Sequence, residues 1–159
     1  MKNFLLIISL MCSIFGFAQN GTKTEPSEGA HHIGLHAGTT TGLGFSYRFW
    51  PGKIGFQLTG VPIFDSHSSF VSAGASFLYK FNDNEVVDFF GYVGNHLLHR
   101  TYGYNNSTNL TYNASIGIGL KIDFLEVLNF NLQAGYGVYN MTETVRTRLA
   151  GEVGLYYNL

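Results

Sequence analysis

Thr147-Arg148-Leu149-Ala150-Gly151-Glu152-Val153-Gly154-Leu155-Tyr156-Tyr157-Asn158-Leu159, the last stretch of the chain, decides the fold. Taken alternately, Leu149, Gly151, Val153, Leu155, Tyr157 and Leu159 fall on one face, and Arg148, Ala150, Glu152, Gly154, Tyr156 and Asn158 on the other. Successive side chains of a strand point to opposite faces, so an apolar row backed by a mixed row marks a two-sided strand. An apolar row running to the C-terminus is what the closing strand of a transmembrane β-barrel offers to lipid.

The N-terminus agrees with export. Lys2 supplies a positive start, Phe4 to Phe17 an apolar core, and Gly16-Phe17-Ala18 a small-x-small cleavage site before Gln19, so residues 1–18 read as a signal peptide. The apolar run of about 14 residues is shorter than the roughly 20 that a spanning helix needs. Cleavage removes Cys12, the only cysteine, and Leu10-Met11 before it lacks the small residue of a lipoprotein site. The exported chain then has no disulfide. Residues 19–30 are polar and aperiodic and read as a disordered leader; residues 31–159 read as one barrel domain.

Charged residues are only 12% of the chain, about half the usual share, while aromatics reach 16% and glycine numbers 20. A formal net charge of −1 gives no basic surface for nucleic acid and no acidic tail. This composition suits a barrel with lipid outside and a narrow interior. No apolar stretch of helix-spanning length follows residue 18, and a chain that crosses a bilayer without one must close its backbone hydrogen bonds in a barrel.

From His31 the chain alternates through strands expected at 31–39, 42–50, 54–63, 69–81, 88–102, 110–124, 130–140 and the closing stretch: eight, an even number. Thr39-Thr40-Thr41-Gly42 reads as a tight connection, and Pro51-Gly52-Lys53 is the clearest turn. Pro62 cannot donate to a ladder and is expected at the rim. The stretch 110–124 alternates best, with Leu110, Tyr112, Ala114, Ile116, Ile118, Leu120, Ile122 and Phe124 outward. In 88–102 the doublets Phe89-Phe90 and Leu97-Leu98 break the alternation, and a bulge there is expected. With the N-terminus in the periplasm, the turns at 51–53, 82–87 and 125–129 are periplasmic, and loops at 65–69, 103–109 and 141–146 face outward.

The pattern resembles the small outer-membrane barrels of the OmpA/OmpX-like superfamily over roughly 31–159. The sharpest motif is the terminal polar-x-Gly-x-x-aromatic-x-hydrophobic signal, here Glu152-x-Gly154-x-x-Tyr157-x-Leu159, with Leu where the family ends in Phe or Trp. The resemblance implies an eight-stranded antiparallel up-and-down barrel in the outer membrane. It also implies that Glu152, Gly154, Tyr157 and Leu159 are read by the outer-membrane assembly machinery.

The inward polar set is expected to comprise His36, Arg48, Gln57, Lys80, Lys121, Asp123, Gln133, Arg148 and Glu152. Eight strands leave room only for side chains, and buried charges need partners. A lumen network of Arg48, Lys80, Lys121, Asp123, Arg148 and Glu152 follows, without the pairings. Gly117 and Gly119 are expected where neighbouring lumen side chains are large.

Among six histidines, His31-His32-x-x-x-His36 and His96-x-x-His99 raise a metal question, but strand positions three apart face opposite ways. His67-Ser68-Ser69 is similar to the His-x-Ser arrangement of lipid A deacylases, which need an orienting carboxylate that Asp65 or Glu85 does not obviously supply. No phosphate loop, dinucleotide fingerprint or zinc framework occurs. No cofactor, metal or catalytic residue is therefore expected. The reading is a monomeric barrel among outer-membrane lipids with a structural or surface-contact role. A secreted lipocalin-like ligand-binding barrel and an outer-membrane lipid hydrolase are the alternatives.

Overall fold

A computed structural model describes residues 29–65, 68–82, 87–102 and 107–159. The eight strands are β1 (Ala30–Ala37), β2 (Leu43–Trp50), β3 (Ile54–Phe64), β4 (Ser68–Lys80), β5 (Val87–Tyr102), β6 (Ser107–Leu125), β7 (Leu128–Tyr139) and β8 (Arg146–Asn158). Each pairs antiparallel with the next, and β8 returns to β1 (Ala37 opposite Val153, His32 opposite Asn158), so the barrel is closed. Among the described residues no helix is long and apolar enough to cross a membrane. Residues 1–18, expected to be a signal peptide, and most of 19–30, expected to be a leader, lie outside the described residues.

Alternation sorts the wall. Phe45, Leu58, Ile116, Ile118, Tyr136 and Leu149 are well exposed on the outside, while Arg48, Gln57, Asn131, Gln133 and Glu152 are buried inside. Short turns at 51–53 and 126–127 mark one end of the cylinder, the turn end; the connections after β1, β3, β5 and β7 mark the other, the loop end.

Two expectations need correction. β5 carries no bulge: it pairs with β4 and β6 in unbroken register from Lys80–Phe90 and Val87–Ile122 to Tyr102. The doublets arise because the interior accepts apolar rings there. Phe90 and Tyr92 point inward with Trp50 and Leu78 to form a small buried core, with Ala30 packed against it. The register irregularity in the β6–β7 pairing sits at Asp123/Leu125, by the turn. The connection between β1 and β2 is also more than a tight turn. It folds into the lumen, where Thr40 and Thr41 are fully buried.

Glycines on the inner wall make room for these rings. A Cβ on Gly55 would lie 2.5 Å from the Trp50 ring, and one on Gly119 would strike the face of Phe90. Gly44, at φ +124°, holds a backbone conformation costly for any side chain, and a Cβ there would lie 2.5 Å from the Gly60 carbonyl oxygen of β3. Gly119→Val is expected to cost about 1–3 kcal/mol by overpacking. Because Trp50 meets Phe90 edge-on at 5.9 Å, the emission of this single tryptophan should shift as well.

Candidate functional site: the sealed interior and its mouth

The interior is filled in layers, and each layer follows from inward positions of several strands. Nearest the turn end, Asp88 of β5 lies between two lysines, with Lys121 Nζ at 3.0 Å and Lys80 Nζ at 3.4 Å from its Oδ2. Asp123 completes the group, 2.9 Å from Lys121 Nζ. Lys80 also lies 5.1 Å from the Trp50 ring centre. Among the described residues each lysine of this almost dry layer contacts a carboxylate, which is what burial of charge requires.

The middle layer belongs to Arg48, only 1% exposed. Its Nε and Nη2 donate to Gln57 Oε1 at 3.1 and 2.6 Å, and Nη1 donates to Asn131 Oδ1. The guanidinium lies over the Tyr156 ring at 4.4 Å and near Phe90 at 5.4 Å. Amide oxygens and ring faces thus hold this cation, whose partner the sequence had left open. Asn131 passes the chain on to Asn129 at 2.7 Å, and Asn129 to Asn158 at 2.5 Å.

Toward the loop end, Glu152 of β8, 2% exposed, anchors the infolded connection. Thr40 donates to its Oε1 from both N–H (3.3 Å) and Oγ1, and Thr41 Oγ1 donates to Oε2. His36 Nε2 stands 2.7 Å from Thr41 Oγ1 and 3.4 Å from Glu152 Oε2, while Tyr156 Oη meets its Nδ1 at 3.3 Å. Thr41 Oγ1, whose own proton goes to Glu152, is left to accept from His36 Nε2. Gln133, its amide nitrogen turned to Glu152 Oε2 at 3.3 Å, accepts from Arg48 Nη2 at 3.3 Å and so links the two layers. His96 and Asn113 then hold the carbonyl of Thr39 at 3.0 and 2.9 Å. The connection at 38–42 is therefore a plug, tied to β5, β6 and β8. Thr41→Ala is expected to cost about 1.5–3 kcal/mol, the range for a hydrogen bond to a charged group. Thr41→Ser, which keeps the donor, should stay near wild type in a urea titration.

The residues expected for the lumen network divide. Arg48, Lys80, Lys121, Asp123 and Glu152 lie in the layers just described, but Arg148 is exposed at the loop end of β8, beyond the plug. Asp88 was missed. The two apolar doublets hid the phase of β5, although Asp88, Phe90 and Tyr92 share one parity. Of the terminal motif, Glu152 and Gly154 face inward, and a Cβ on Gly154 would lie 2.5 Å from the Tyr156 ring. Tyr157 and Leu159 face outward, and the Leu159 N–H donates to the His31 carbonyl at 2.9 Å.

The histidines do not converge. His31 is outside, stacked on Phe49 at 4.6 Å, whereas His32 and His36 are inside on different partners. His96 points inward to Ser72 at 2.9 Å, and His99 falls on the opposite face. Among the described residues no three His, Cys, Asp or Glu gather in a way that could hold a metal ion. His67 lies outside the described residues.

A closed, eight-stranded, all-antiparallel wall with polar layers inside and apolar rows outside is the architecture of small outer-membrane barrels. The N-terminal β-barrel domain of Pseudomonas aeruginosa OprF is similar, with a TM-score of 0.59 at 14% identity over 85% of this chain and 100% of that one. Neisserial surface protein A also aligns, at a TM-score of 0.45 and 15% identity over 82% of this chain and 93% of its own. The attachment invasion locus protein Ail of Yersinia pestis aligns at 0.47 and 15% over 86% and 100%. No family model and no curated protein matches the sequence.

Proposed function

We propose that the chain is an integral outer-membrane protein, exported by a signal peptide cleaved after Ala18 and monomeric among outer-membrane lipids. Its terminal strand, through Glu152, Gly154, Tyr157 and Leu159, is the segment that the assembly machinery recognises. The turn end faces the periplasm and the loop end faces outward. Its role is structural or one of surface contact, not catalysis or transport.

A single observation carries this reading: the apolar rows cover the outside of the cylinder while the polar and charged side chains fill the inside. A soluble barrel does the reverse around its ligand. The lipocalin-like alternative is therefore unsupported by the wall that would have to face water. The sealed layers at Arg48 and Glu152 favour a non-conducting interior, as expected for eight strands.

Membrane fractionation with heat-modifiable gel mobility tests location and barrel state together. The wild type should appear in the outer-membrane fraction and migrate faster unheated than boiled. Deleting Tyr157–Leu159 should abolish the fast form and leave the chain in the periplasm. Normal assembly of that truncation would contradict the recognition role given to the terminal strand.

A further inference from the structure

The two shortest strands stand side by side, and the wall above them is missing. β2 pairs with β3 only from Phe45–Gly60 to Phe49–Phe56, yet β3 runs on to Phe64. β1 pairs with β8 no further than Ala37–Val153, yet β8 begins at Arg146. Because 38–42 turns inward, Val61–Phe64 of β3 and Arg146–Glu152 of β8 have, among the described residues, no strand beside them on that flank. The gap is two strands wide, about 14 Å at the usual inter-strand spacing. The overhang of β6 is treated differently, since the connection after β7 covers it. Met141 N–H donates to Tyr112 O at 2.9 Å, Thr142 Oγ1 to Leu110 O at 2.8 Å and Asn140 N–H to Asn113 Oδ1 at 2.9 Å. Among the described residues the edge of β8 receives one bond of this kind, from Tyr139 Oη to the Leu149 carbonyl at 3.5 Å.

We propose that this notch is a strand-addition site, which takes an extended acidic peptide segment of an extracellular partner along the free edge of β8. The inference rests on the outer-membrane reading above. Unpaired main-chain groups cannot stand in hydrocarbon, so the upper part of the notch, at Arg146–Leu149, is the part that stands above it and meets water, while the lower part is backed by the plug at Thr40 and Thr41. A row of free N–H and C=O groups is matched by another extended backbone, antiparallel to β8.

The side chains set the sequence preference. By alternation Arg146 and Arg148 fall on the inward face of this edge. Across the mouth Arg100 lies 5.1 Å from the Phe70 ring centre. Among the described strand residues above Glu152 no carboxylate shares that inward face, and the carboxylates described at that end, Asp65 and Glu143, lie in the connections. On the outward face Leu149 is 75% exposed, and Phe64 across the notch is 73% exposed. The matching segment alternates carboxylates, directed at the arginines, with apolar or β-branched residues beside Leu149.

The test uses full-length mature protein refolded in detergent and first shown to be heat-modifiable. Amide exchange and chemical shifts are followed by NMR while the synthetic peptide Thr-Glu-Val-Glu-Thr-Glu-Val is added. A second peptide has Lys in place of each Glu. The expected result is at least tenfold slower exchange for amides within Arg146–Gly151 with the acidic peptide and no change with the basic one. R146E/R148E, which alters only exposed side chains, should reverse the preference, and R148A should weaken the acidic peptide without disturbing the barrel.

Unchanged exchange at Arg146–Gly151 would overturn the proposal, as would equal response to both peptides. Protection of that edge without peptide, accompanied by dimerisation, would make a second copy the occupant and overturn it too. Loss of heat-modifiability in the wild type would instead sink the barrel reading, and this inference with it.

Discussion

Asp88→Ala is expected to lower the unfolding free energy of the refolded barrel by about 3–5 kcal/mol, the cost of leaving buried charge without its partner. Lys80 and Lys121 would face each other across an almost dry layer, each having lost its contact with the Asp88 carboxylate. Asp88→Ala/Lys80→Met removes the excess positive charge and should recover a substantial part of the loss. Urea titration monitored by Trp50 fluorescence reads both, since Trp50 lies against Lys80. A loss below about 1 kcal/mol for Asp88→Ala would mean that water screens the layer as it does at a surface.

Ile118→Lys is expected to cost about 2–4 kcal/mol in lipid, the penalty for a cation on the mid-membrane face of a barrel. Ile118 is 62% exposed in the middle of β6, among outward aliphatic and aromatic neighbours. On a water-facing wall the same change would fall within about 0.5 kcal/mol, as surface substitutions do. Val127→Lys supplies the depth control. Val127 is also exposed but sits in the turn between β6 and β7, where the penalty should fall to about 0–1 kcal/mol. Equal costs at the two positions would remove the bilayer from the explanation.

Legibility in the sequence followed the chemistry of each face. β6 and β8 could be read because their outward rows are aliphatic or aromatic while their inward rows are mostly Gly, Ser, Thr, Asn or charged. β5 could not, because inward glycines at 94, 117 and 119 free space that Tyr92, Phe90 and the plug then fill. Once aromatic rings stand on the inside, polarity no longer reports the face. Asp88 disappeared with the phase of that strand.

The plug left a fainter trace. Thr39-Thr40-Thr41-Gly42 has the composition of a surface turn, and only the brevity of β1 and β2, 8 residues each against 16 in β5 and 19 in β6, suggests that something else closes that sector. Partner choice across the lumen was beyond sequence. Arg48 faces Gln57 on the neighbouring strand β3, but Asn131 of β7 and Tyr156 of β8 reach it only because the closed barrel brings them to the same height.

Lipid contact along the outer wall is measured most directly by quenching with brominated phospholipids, using single tryptophans in a Trp50→Phe background. Tryptophan placed at Ile116, Ile118, Leu132 or Val153 should be strongly quenched by brominated acyl chains and poorly by aqueous acrylamide. The native Trp50, enclosed in the lumen, should respond weakly to both. Efficient acrylamide quenching at the four outer positions, with no effect of the brominated lipid, would contradict the assignment of that wall to the bilayer.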